Sequence, residues 1–259
     1  MKRRALFGIL ATVSAACASA PTAPEAPDLF RVDAHAIDET TAAHVVALTR
    51  AAVLDVERFF GAPLPASFTL WILPSRAAFD AYLPHEWGLT RTECWMVATG
   101  VAEGVRLLSP AAWKSEACEH DPTDEAHLRR LLAHELVHVY HAQRNPSPDF
   151  VDVSGIDWFV EGLATFASGQ LADPALASAR EALEHNAGPS ALATAWTGRY
   201  RYGVSGSLVA FLEHEFGREV VRAGLAATSQ EELLALFGLD EATLLDAWRL
   251  FVLEPRSTP

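Results

Sequence analysis

Residues 134–138 read His-Glu-Leu-Val-His, and no other segment constrains the chain as much. The pentapeptide sits in a helical pattern of apolar residues running from Leu128 through Leu132 to Tyr140. On a helix, residues four apart differ by about 40° in azimuth and lie one turn apart along the axis. The imidazoles of His134 and His138 therefore reach one metal ion from the same face. Glu135 stands about 100° round from His134, close to such an ion but not on it. That is where a base must be to take a proton from water held at the metal. With ten histidines in the chain, about 0.03 chance matches to H-E-x-x-H are expected. The bland alternative is a surface helix that happens to carry these residues, and the apolar Leu136 and Val137 argue against it.

A zinc site that keeps one position open for water needs a third protein ligand. Downstream, Glu161 is embedded in the apolar run Trp158-Phe159-Val160-Glu161-Gly162-Leu163-Ala164. A buried carboxylate without a partner costs several kcal/mol or is neutralised, and a metal ion removes that cost. The alternative, an arginine pair at the helix surface, fits poorly with the apolar neighbours. Gly162 costs about 1 kcal/mol of helix propensity relative to Ala, which points to a close approach between helices there.

The rest of the chain divides in two. Apolar spacing predicts a helix over 38–60, with Asp38 as N-cap and Gly61 at its end. A strand is expected at 68–73, a short helix at 75–83, and two further strands at 95–99 and 105–108 around a turn with Gly100 and Gly104. From Thr123 onward nearly everything reads as helix, over 123–144, 158–170, 174–186, 204–216, 218–227, 229–237 and 240–253. Strands first and helices afterwards describe an α+β domain, a small N-terminal sheet packed on a mainly helical half.

The first twenty residues read as a targeting segment: Lys2, Arg3 and Arg4, then an apolar stretch from Ala5 to Ala16 too short to cross a bilayer. Cleavage after Ala18 is one reading. The other makes Cys17 the lipidated first residue of a bacterial lipoprotein, since Val13-Ser14-Ala15-Ala16-Cys17 resembles a lipobox, with Ser14 where leucine is usual. Three cysteines are odd for an exported chain, and lipidation of Cys17 leaves Cys94 and Cys118 to pair as a disulfide or to stand as two free thiols. Residues 21–37, rich in Ala and Pro at their start, are expected to be a tether, with the folded domain at 38–259. The formal charge of −13 argues against nucleic acid as a partner, because that needs a basic face.

His134-Glu-Leu-Val-His138 followed by Trp158-x-x-Glu161-Gly162-x-Ala164 resembles the gluzincin metallopeptidases, especially the compact bacterial peptidase MA-like group. Leu70-Trp-Ile-Leu-Pro-Ser-Arg-Ala-Ala-Phe79 is similar to that group's N-terminal strand and following helix, and Glu231–Leu239 with Leu245-x-x-Trp248 to its closing helices. The likeness spans about residues 40–253 and implies a thermolysin-like, zincin-type catalytic half. It also implies zinc on His134, His138 and Glu161, Glu135 as general base, and a peptide or protein substrate. The twenty-two residues between His138 and Glu161 slightly exceed the spacing in thermolysin, through a loop-like insert, Asn145 to Asp157, with Pro146 and Pro148. The resemblance points to Tyr202 as donor to the developing oxyanion, and Tyr200, two residues earlier, is the alternative.

Other histidines carry less. His141 follows the motif, but the longer pattern with a third histidine is absent, since Arg144 takes the glycine position and Pro148 follows. It is expected on the helix surface. His120, His127, His185 and His214 are expected to be solvated. The leading function is thus an exported zinc peptidase, and an endopeptidase in the absence of a G-x-M-E-N-type segment upstream. Two alternatives remain: an exported lipoprotein that keeps the fold as a binding or assembly module, and a zinc amidase acting on cell-wall peptides. The intact Glu135 weighs against a pure scaffold, which has no use for a base beside the metal.

Overall fold

The computed structural model describes residues 29–83, 87, 90–171 and 173–254; the targeting segment, Cys17 and the tether up to Asp28 lie outside them. Among the described residues the fold is α+β, with one four-stranded sheet and ten α-helices. Strand β1 (Phe30–Asp33) lies where a tether was expected, so the ordered domain begins earlier than residue 38. Four residues are too short a run for periodicity to declare a strand. Its place follows from β2 (Phe68–Leu73), with which it pairs in parallel, and from the stacked rings of Phe30 and Phe68.

Between these strands runs α1 (Glu39–Phe60), capped by the Asp38 side chain, which accepts from the Thr41 amide, and ended by Gly61 at φ 65°. Short helix α2 (Arg76–Ala81) follows β2. Strands β3 (Ala98–Val101) and β4 (Gly104–Leu108) form a hairpin, and the sheet order is β1-β2-β4-β3. β2 pairs with β4 in parallel, leaving β3 as an antiparallel edge strand. The strand expected from Trp95 starts only at Ala98. Residues 94–96 are held instead by the Arg76 guanidinium, which donates to the carbonyls of Cys94 and Met96. Helix α3 (Pro110–Glu116) was not expected, although Ser109 and Pro110 supply an N-cap and a first-turn proline.

The remaining helices are α4 (Glu125–Ala142), α5 (Asp157–Ala167), α6 (Asp173–Glu184), α7 (Arg201–Phe216), α8 (Arg218–Ala223), α9 (Gln230–Phe237) and α10 (Glu241–Leu253). The single helix expected over 218–227 is α8 followed by a 3₁₀ turn, Gly224–Ala226. α4 is the hinge of the architecture: it packs on α1, on the edge strand β3 and on α5. α5 packs in turn on α7, which carries α6 and α10 behind it. The buried Trp248 indole closes this helical half by donating to Ser207 Oγ. No described helix is long and apolar enough to cross a membrane.

Candidate metal centre

α4 delivers its two histidines to a cleft between the edge strand β3, α5 and the start of α7. The fit of α4 against β3 depends on Gly100, because a Cβ there would run into the backbone carbonyl of Glu135. His134, Glu135 and His138 are each buried. Glu161 arrives from α5 and keeps 28% of its side chain open to the cleft.

The ligand atoms converge. His134 Nε2 and His138 Nε2 are 3.1 Å apart, and Glu161 Oε2 lies 3.4 Å from the first and 3.6 Å from the second. Tetrahedral zinc with bonds of about 2.0–2.1 Å sets its ligand atoms about 3.4 Å apart, so this triangle has the size that one such ion requires. Two imidazole nitrogens and a carboxylate oxygen also form a donor set suited to zinc. The group can hold a metal ion, and its geometry alone does not identify which.

A further residue orients the first ligand. His134 Nδ1 is 2.9 Å from Gln170 Oε1, so Nδ1 carries the proton and donates, and Nε2 turns its lone pair to the cleft. Nothing in the sequence singled out Gln170. It lies just beyond the end of α5, and only the turn there, where Gln170 N donates to Ser168 Oγ, brings it back over α4.

Charge in the cleft is finely divided. Burial pushes the Glu135 carboxyl up to about 7; His134 pulls against this, Glu161 adds to it, and the backbone of Gly100 pulls against it by hydrogen bonding. Withdrawal from water also disfavours the Glu161 anion. There, however, His138 and His134 prevail through charge and hydrogen bonds, and hold its carboxyl well below the usual carboxylate range. The two glutamates are therefore set apart, one as an anion facing the imidazoles and one poised near neutrality.

The two tyrosines separate cleanly. Tyr202 lines the cleft with its ring 6.3 Å from that of His134 and edge-on to Trp196 at 4.8 Å. Burial, with Glu161 nearby, pushes its phenol up to about 12, so it stays a proton donor. The Tyr200 hydroxyl points elsewhere and bonds Glu181 Oε1 at 2.9 Å and the Arg199 guanidinium.

Three expectations for histidine need correction. His141 is fully buried rather than on the helix surface, because the last turn of α4 runs under Phe150 and Phe159, whose rings lie 5.0 and 6.0 Å away. His120 and His127 are not free in solvent. His120 Nε2 lies 2.8 Å from the Trp95 carbonyl and its Nδ1 2.9 Å from His127 Nε2. Both bonds are made when His120 donates from Nε2 and accepts at Nδ1. The insert over 145–157 also does more than span a gap: it brings Asp149, Phe150 and Val153 to the wall of the cleft, anchored by Asn145, whose amide donates to the carbonyls of Leu225 and Ala227.

Cys94 and Cys118 are bonded to each other, with Cα atoms 5.3 Å apart. The bridge ties the segment bearing Trp95 and Met96 to the one bearing Glu119 and His120, and all four residues line the cleft system. No known protein-family profile matches the chain, and no curated protein shows significant similarity to it.

Proposed function

We propose that the protein is a zinc-dependent peptidase of the gluzincin type, an endopeptidase, acting on peptide or protein substrates. One observation carries the reading: His134, His138 and Glu161 present three nitrogen and oxygen donors at tetrahedral zinc spacing, with Glu135 buried beside them and not among them. Zinc bound there would act as a Lewis acid toward the peptide carbonyl and lower the pKa of water. Glu135 would accept the proton of the attacking water on its carboxylate and return it to the leaving amine. The Tyr202 hydroxyl, protonated at any working pH, would donate to the oxygen on which negative charge develops.

The surroundings favour a polypeptide. The cavity of about 340 Å³ over the histidines is lined by Ala98, Thr99 and Gly100 of the edge strand β3. An edge strand offers unpaired backbone groups to an extended chain, which adds to the sheet as a further strand. We also place the protein outside the cytoplasm, exported and anchored to a membrane through lipidated Cys17. The Cys94–Cys118 bridge supports an oxidising compartment.

The test is elemental analysis and turnover on a mixed peptide library, for wild type, His138→Ala and Glu135→Gln. One zinc per chain is expected in wild type and in Glu135→Gln, and none in His138→Ala. Hydrolysis should fall by about 10² or more in Glu135→Gln, the usual scale for losing a general base. Equal turnover in wild type and Glu135→Gln, with zinc bound in both, would favour the binding-module alternative.

A further inference from the structure

The cleft continues past the candidate ligands into a second cavity of about 440 Å³, which shares His134, Glu135 and Tyr202 with the first. The two halves differ in charge. Among the described residues the first is lined by Asp149 and Asp157 and by no lysine or arginine, whereas the second is lined by Arg130 and Arg201 together with the His120–His127 pair. In a chain of net charge −13, two arginines gathered beside a candidate catalytic centre are out of keeping with the surface at large.

Neither arginine forms an ion pair among the described residues. Arg201 is held by aromatic faces instead: its Cζ lies 4.4 Å from the ring centroid of Trp95, 5.2 Å from that of Tyr202 and 5.6 Å from that of Trp196. Among the described residues its Nε is buried with no hydrogen-bond partner, while the guanidinium also hydrogen-bonds the Tyr202 side chain. Stacking of this kind fixes the guanidinium plane while leaving its charge uncompensated, which is how a fork for a planar anion is built. The lining carries two acidic residues, Glu119, which is exposed at the lip, and Glu135, the candidate base.

We propose that this second cavity is a subsite for a carboxylate of the substrate, so that the site prefers peptides with an acidic group on one side of the bond that is cut. The proposal rests on the peptidase reading for its catalytic expression, but binding at the subsite does not require turnover. Arg201 is the principal contact and Arg130, on the exposed face of α4, the second. The carboxylate has two possible sources, an Asp or Glu side chain and a free C-terminus.

The experiment takes one peptide cleaved by the zinc-loaded protein and varies each position flanking the scissile bond to Glu, Gln or Lys, with the C-terminus free or amidated. At one position on one side, Glu should exceed Gln in kcat/KM by about tenfold, the scale of one charged hydrogen-bonded contact, and Lys should fall below Gln. A rate that falls about tenfold on amidation whatever residue flanks the bond assigns the carboxylate to the C-terminus; a Glu preference that amidation leaves unchanged assigns it to the side chain. Arg201→Gln and Arg130→Gln should each lower the Glu/Gln ratio toward one. Arg130→Gln keeps the test decisive if Arg201→Gln fails to fold.

Equal rates for Glu, Gln and Lys with either terminus would overturn the subsite and leave the peptidase reading standing. A preference that survives in both arginine variants would overturn it as well. If no peptide is cut while zinc is fully bound, the peptidase reading fails instead. The subsite is then read by calorimetric binding of the Glu and Gln peptides to wild type and both variants, with the same expected ratio and the same loss.

Discussion

Gly162 lies against the backbone of Ser205 so closely that a Cβ on the glycine would overlap the Ser205 carbonyl oxygen. The contact sets the distance between α5 and α7, and the two helices carry into the cleft Glu161, next to Gly162, and Tyr202, three residues before Ser205. A glycine that weakens the helix thus fixes the spacing of a candidate metal ligand and a candidate proton donor. Gly162→Ala should force the helices apart. The expected cost is about 1–3 kcal/mol of stability, the range for overpacking, with weaker zinc binding as Glu161 is displaced. Thermal unfolding and zinc titration check this, and wild-type values for both would show that the contact is dispensable.

The Cys94–Cys118 bridge lies beside the cleft rather than in the core, and closes a loop with a sequence separation of 24. Loop-closure entropy gives it about 3 kcal/mol of stabilisation. Replacing both cysteines by alanine should lower the melting temperature accordingly and loosen the wall formed by Trp95 and Met96. The candidate ligands sit on α4 and α5, outside the segment that the bridge closes. Zinc affinity should therefore stay near wild type while KM for peptides rises. A parallel loss of zinc would mean that the bridge supports the metal site itself.

The candidate metal cluster was legible because a helix converts spacing into direction: four residues apart means one face, whatever the rest of the fold does. The same logic exposed Glu161, a carboxylate out of place in an apolar helix, and Gly162 beside it. What stayed hidden depends on contacts remote in sequence. The burial of His141 needs Phe150 and Phe159 to close over α4, and the pairing of His120 with His127 needs the loop drawn in by Cys118. Strand β1 is defined only by its partner β2.

Gln170 is the strongest case of that hidden class, since among the described residues its amide oxygen is the hydrogen-bond acceptor for His134 outside the candidate ligand set. Gln170→Leu should leave the ligands in place but free the imidazole to rotate. Residues in this role typically account for 10–100-fold in metal affinity, and a competitive chelator titration should find a loss of about that size. An unchanged zinc affinity would show that packing alone holds the His134 ring.

His141 makes stability depend on pH. Burial, with His138 beside it, pushes its imidazole down to about 3, against about 6.5 in an unfolded chain. Between those values the unfolded state binds the extra proton, so stability rises with pH there. The contribution is complete above about pH 6.5 and falls by about 1.4 kcal/mol for each unit below it. Urea unfolding at pH 7 and pH 5 should therefore differ by about 2 kcal/mol more in wild type than in His141→Gln. The comparison between variants cancels every other titration that the two proteins share. An identical pH dependence would place the acid sensitivity elsewhere.

Tyr202 and Tyr200 offer the sharpest separation of chemistry from support. The Tyr202 hydroxyl is kept protonated in the cleft near His134, while that of Tyr200 is tied to Glu181 and Arg199 away from it. Tyr202→Phe removes one proton donor and leaves the ring against Trp196. Its effect should fall on kcat, by about 10²–10³ if the hydroxyl serves the oxyanion, with zinc content and melting temperature unchanged. Tyr200→Phe leaves the Glu181 carboxylate with one donor fewer at a partly exposed site, which costs stability by about 1 kcal/mol and does not touch the cleft. Steady-state kinetics and thermal melts on the two variants give a crossed pattern, kcat lost in one and stability lost in the other. A full kcat in Tyr202→Phe would remove it from the mechanism and leave stabilisation of the oxyanion to the metal site itself.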